Sequence, residues 1–154
     1  TGLPMECVDP ATRARAALTD SLPANNYPMD RIRQSIERER QTMMENLRRV
    51  HAAGIPIVMG TDAGNPLTLH GASVFREMEA MAAAGMSPMD VLVASTRNAA
   101  TAMGRDSIGT LRVGMAADLV VLDADPLADV RNLRAIRLVA RGGEVWTRRE
   151  LEYR

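Results

Sequence analysis

Several things that would place this sequence quickly are scarce in it. It has one cysteine, Cys7, so no internal disulfide can form and no thiolate zinc site can be built from this chain. That usage fits a reducing compartment, and a cytoplasmic location is the expectation. Aromatic residues make up 3% of the chain. Trp146, Tyr27, Tyr153 and Phe75 lie scattered, with no platform on which bases could stack. Nineteen basic residues meet nineteen acidic ones, which leaves no net field to draw in nucleic acid or an anionic membrane. No apolar run approaches the length of about 20 residues needed to span a bilayer. The opening residues 1–6 carry neither a basic nor an apolar stretch, so they do not read as a signal peptide. Partners of the nucleic-acid or membrane kind are therefore not expected.

What is present is an ordinary globular balance, 46% hydrophobic and 25% charged. A chain of 154 residues can bury roughly 70% of its unfolded surface. Residues 1–30 read as irregular, with Pro4, Pro10, Pro23 and Pro28, apart from a short helix over 11–18 that Asp9 would cap. A clearer helix is predicted over 30–53. There Ile32, Ile36, Met43, Leu47 and Val50 recur at helical spacing and Gly54 supplies the stop. Ile55-Pro56-Ile57-Val58-Met59 follows as a compact apolar strand of the kind that is covered on both faces in β/α architectures. It runs into a loop of small residues, Gly60-Thr61-Asp62-Ala63-Gly64.

Helices are next predicted over 72–84, over 88–96 with Ser87 as cap and Pro88 in the first turn, and over 98–103. Beyond Gly104 the period changes. Short β-rich runs at 119–122, 136–139 and 144–146 are punctuated by glycines, and Gly142-Gly143 signals a hairpin. A single parallel strand cannot make a sheet, because its backbone groups need neighbours. Partners for the 55–59 strand could come from the irregular N-terminal segment or from the C-terminal strands; the favoured expectation is that they lie in sequence not present here.

Asp62 sits two residues past the strand, where β/α barrels collect reactive groups at converging strand ends. A carboxylate there can bind a divalent metal and accept a proton from water. It can equally cap the turn that follows. His70 precedes the 72–84 helix and could hold substrate or metal, or be a solvated loop residue. His51, in the last turn of the long helix, is assigned to structure because a cation there suits the helix dipole. Asp118 reads as a turn acid. Glu77 and Glu79 lie two apart on a helix and do not share a face. The eleven methionines read as core filler. No phosphate loop and no Ser-His-Asp or Cys-His pattern is present.

Two stretches together go further. One is His51-Ala-Ala-Gly-Ile-Pro-Ile-Val-Met-Gly-Thr-Asp-Ala-Gly64 with His70-Gly71-Ala72-Ser73 and Arg76-Glu77-Met78-Glu79. The other runs from Gly109-Thr110-Leu111 through Gly114-Met115-Ala116-Ala117-Asp118-Leu119-Val120-Val121-Leu122-Asp123 to Asp125-Pro126-Leu127. In this order they resemble the C-terminal region of the amidohydrolase superfamily, closest to its imidazolonepropionase- and prolidase-like branch. Ser95-Thr96-Arg97-Asn98-Ala99-Ala100 resembles that family's T-x-N-x-A helix. The likeness covers about residues 45–147.

The resemblance implies an α/β fold, the C-terminal fragment of a (β/α)8 TIM barrel plus the C-terminal strands of a small β-sandwich composite domain. Residues 1–108 would be the barrel portion and 109–154 the sandwich portion. It further implies that Asp62 is the strand-eight aspartate, which contacts a divalent metal, zinc by expectation, and acts as general base. His70 would contact the substrate, a small-molecule amide or cyclic amide. The family's other metal ligands lie upstream of this sequence, and two histidines cannot complete its site. The expectation is a metal-dependent C–N hydrolase present as an incomplete portion that would be inactive in isolation. The alternatives are a non-catalytic truncated homologue or assembly module and, within the enzyme class, a prolidase-like dipeptidase. A homo-oligomer is compatible with either reading.

Overall fold

A computed structural model describes residues 10, 11, 14, 29–64 and 68–152. Pro10, Ala11 and Ala14 are helical; the rest of the helix expected over 11–18 lies outside the described residues. Helix α1 spans Met29–Ala52, within a residue of its sequence prediction. Ion pairs at helical spacing lace its solvent side, Glu37 with Arg40 at 2.7 Å and Glu45 with Arg48 and Arg49 at 2.7 and 2.9 Å. Such exposed pairs contribute little, because water and salt screen them. The apolar stripe of α1 is less covered than its period suggested. Leu47 packs on the core, while Ile36 and Met43 are exposed, because no other described element lies across that part of the helix.

Three helices follow in quick succession, α2 at Ala72–Ala83, α3 at Pro88–Ser95 and α4 at Arg97–Ala102. Ser87 caps α3 as expected, its hydroxyl oxygen accepting from the Asp90 amide at 3.1 Å. The Arg48 Nε donates to the Ala84 carbonyl at 3.0 Å, satisfying an orphan acceptor at the end of α2. Met81, Met86, Val91, Ala94 and Val130 form the buried core, with Val91 fully enclosed. Met81 and Met86 fill the core as expected of the methionines, but Met43, Met89 and Met103 are exposed and do not.

The C-terminal part is a three-stranded antiparallel sheet in the order β1 (Leu119–Leu122), β2 (Ile136–Arg141), β3 (Glu144–Thr147). Val139 on the central strand faces Val120 on one side and Trp146 on the other. Gly142 and Gly143 carry positive φ, 58° and 87°, the conformation that a tight two-residue hairpin turn demands and glycine supplies without strain. Asp118 accepts the Gly142 amide at 2.9 Å, so this acid ties the start of β1 to the hairpin tip. A 3₁₀ helix at Val130–Arg134 packs against α2 through Val130 and Leu133. A short helix α5, Arg148–Glu152, closes the described chain. No helix among the described residues is long and apolar enough to cross a membrane.

The run 55–59 departs from expectation. No strand is formed there, and the run pairs with none among the described residues. Ile57 and Met59 turn onto the core, while Ile55 and Val58 face outward and are exposed. One face is covered instead of two, because parallel pairing needs strands this region does not contain.

Candidate active site

The run 55–60 delivers the chain to Asp62, and the backbone there is unusual. Asp62 has φ of 49° and is the one non-glycine residue with positive φ among those described. Aspartate tolerates this left-handed conformation better than most residues, yet it is held only where the flanking structure insists. The Thr61 hydroxyl oxygen accepts the Ala63 amide at 3.3 Å, and the Gly64 amide reaches the Thr68 carbonyl at 3.0 Å. The loop therefore folds back on itself before α2 begins. Asp62 is exposed at the surface of this loop.

Glu77 is the residue that sequence reasoning passed over. It does not pair with Glu79, in agreement with their spacing. Glu79 instead meets Arg134 at 2.7 Å, and that guanidinium lies 5.0 Å from the centre of the Phe75 ring. Glu77 is half-buried. Burial first, and the Asp62 charge second, push its carboxyl above the usual carboxylate range. Two acids fifteen positions apart, one in a loop and one on the helix that the loop feeds, thus share a neighbourhood. The signal available in the sequence was the short linker: α2 starts ten residues after Asp62, so its first turns must pack beside that loop.

His70 lies at the loop's end, exposed, with its carbonyl accepting the Ala72 amide at 2.9 Å. Among the described residues no hydrogen bond or ion pair joins it to Asp62. His51 stands at the other end of the run, 3.5 Å from Asp90, beside a shallow cleft of about 160 Å³ lined also by Ile55, Pro56, Val93 and Asn98. Its structural assignment agrees with that position. No group of three or more His, Cys, Asp or Glu side chains that could hold a metal ion is found among the described residues. Asp62 can offer a metal one ligand, and one carboxylate leaves the shell of a divalent ion open.

The amidohydrolase family matches residues 11–146. The ochratoxinase of Aspergillus niger is 32% identical over 102 residues, which cover 61% of this chain and 20% of that protein. The imidazolonepropionase of Aromatoleum aromaticum is 37% identical over 93 residues, 59% of this chain and 22% of that one. Among solved structures, a Xaa-Pro dipeptidase with methionine bound in its active site superposes with a TM-score of 0.61 at 27% identity. That match covers 68% of this chain and 25% of that chain. The chain spans about a fifth of the length of these curated relatives.

Proposed function

We propose, because this chain belongs to the amidohydrolase family, that its intact protein hydrolyses a carbon–nitrogen bond of a small amide or cyclic amide, with Asp62 as general base. The observation that carries this reading is Asp62 itself: an exposed carboxylate in a left-handed turn, at the end of an apolar run, inside the region shared with the family. A base must reach the proton it takes, and an acid presented by a constrained turn is aimed before substrate arrives. Asp62 accepts the proton of the hydrolytic water and returns it to the departing nitrogen, which would otherwise leave as an unstable anion. His70, on the same loop, contacts the substrate in this reading.

The family implies a divalent metal, and zinc is the ion proposed for the intact protein. The described residues do not fit such an ion by themselves, since they supply Asp62 and no second and third donor around it. In the same proposal, residues 55–60 are the last strand of a (β/α)8 barrel, residues 1–108 its closing portion, and 109–154 the C-terminal share of a β-sandwich. The ligand shortfall also supports a second reading, in which the chain is a non-catalytic module that keeps only the scaffold.

Replacing Asp62 with Asn in the intact protein decides between them. The swap keeps shape and removes basicity, so turnover of a cyclic amide or Xaa-Pro dipeptide substrate should fall by about 10³-fold with the unfolding midpoint unchanged. Near-wild-type turnover would sink the assignment of Asp62, and absence of turnover in the unmutated intact protein would favour the module.

A further inference from the structure

Asn98 belongs to the T-x-N-x-A stretch, and the functional reading leaves it without a task. Its side-chain amide donates to the Ile57 carbonyl at 2.9 Å, across 41 positions of sequence. Two residues on, the Met59 amide donates to the Ala94 carbonyl at 3.2 Å. A strand ordinarily satisfies its backbone groups with neighbouring strands. Here α3 and α4 supply part of that requirement, one bond through backbone and one through a side chain. Both bonds grip the segment just before Asp62, whose positive φ depends on the chain entering at a set angle.

We infer that Asn98 is a positioning residue: its amide anchors the Ile57 carbonyl and so sets where the Asp62 carboxylate is presented. This rests on the reading of Asp62 as the general base. The chemistry asks for an amide. Leucine at 98 would leave the Ile57 carbonyl without its donor, and aspartate, of nearly the same shape, would set acceptor against acceptor. Gln keeps the donor on a longer arm. Gly109 adds an independent constraint on the same helix. A Cβ there would come within 2.7 Å of the Ala100 Cβ and 2.9 Å of the Thr96 carbonyl oxygen. The chain leaving α4 thus packs directly on the turn that carries Asn98, which limits how far that side chain can swing.

The test uses Asn98→Asp and Asn98→Gln in the intact protein, read by amide hydrogen exchange and by steady-state kinetics. Asn98→Asp should speed exchange at residues 57–62 by about tenfold, the effect of one lost hydrogen bond to a partly buried carbonyl. Exchange in α2 and in the β1–β3 sheet should stay as in the parent. The same variant should lower kcat by about tenfold and leave KM unchanged, and Asn98→Gln should recover part of both. Unchanged exchange at 57–62, or a rise shared equally by α2 and the sheet, overturns the anchor. Local loosening with unchanged kcat, alongside an inactive Asp62→Asn control, overturns its role in positioning. An active Asp62→Asn protein overturns the functional reading instead, whatever the exchange shows. If Asn98→Asp does not fold, Asn98→Ser, whose hydroxyl is too short to reach Ile57, is judged by the same contrast.

Discussion

Two stretches of this chain read alike and end differently. Residues 55–59 and the run Leu119–Leu122 are both short, apolar and rich in β-branched residues. The second finds antiparallel partners in β2, about fifteen residues downstream, and in turn supports a ladder through β3. The first forms no strand and leans on helices α3 and α4 through two hydrogen bonds. Antiparallel pairing can be completed locally by a hairpin, whereas a parallel strand requires neighbours brought from far along the chain. The comparison teaches that strand propensity and strand formation are separate matters. It also places the stable, self-sufficient ladder in the C-terminal part and the candidate catalytic acid on the stretch that depends on others.

The sharpest way to break that contrast is Val139→Pro. Proline in the central strand removes a ladder donor and clashes with its neighbours, which should destabilise the sheet by about 3 kcal/mol or more. Exchange protection in β1–β3 should collapse while α2 and α3 keep theirs. Retained sheet protection would mean that the ladder is not what holds this part together. Gly109→Ala strikes the seam between the two regions. The residue has φ of 85° and no room for a methyl group, so strain and overlap together should lower stability by about 2 kcal/mol. Chemical denaturation measures it, and an unaltered midpoint would show that the seam yields freely.

Glu77→Gln should produce the smallest effect, and its sign depends on pH. A carboxyl whose folded pKa is raised binds its proton more tightly when folded. Its favourable contribution is complete below the unfolded value near about 4.3 and is lost as pH rises through the raised folded value. Above that raised value the charge on Glu77 weighs against the folded chain, through burial first and the Asp62 charge second. The glutamine variant should unfold at higher temperature than the parent at pH 7 and match it below about pH 4. An equal difference at both pH values would exclude the charge as its cause.

Much of the architecture was legible because it is written in local signals. The helical period, the Ser87-Pro88 opening, the glycine stops and the Gly142-Gly143 hairpin each act within a few residues, and the elements appear where those signals put them. Asp62 was legible as a candidate from its place just past an apolar run, where a turn cap read as well, and from the family-like stretches that flank it. Glu77 was not, since its meaning comes from the loop beside its helix and not from Glu79, its neighbour in sequence. The uncovered face of α1 was misjudged on the same account. Periodicity states which face of a helix is apolar and is silent about what lies against it.

By itself, then, the sequence placed the helices up to residue 103, the three short C-terminal runs and the likeness to the family, because short-range chemistry and residue order suffice for those. The 3₁₀ helix, α5 and the pairing of β1 with β2 came only with the structure. Only the tertiary structure decided that the Asp62 charge bears on Glu77, that Arg134 reaches Glu79 and Phe75, and that Asn98 grips the Ile57 carbonyl. Each of those depends on segments distant in sequence meeting at set angles. That outcome comes from packing around Val91 and Met81, a property of the whole buried core that no local pattern encodes.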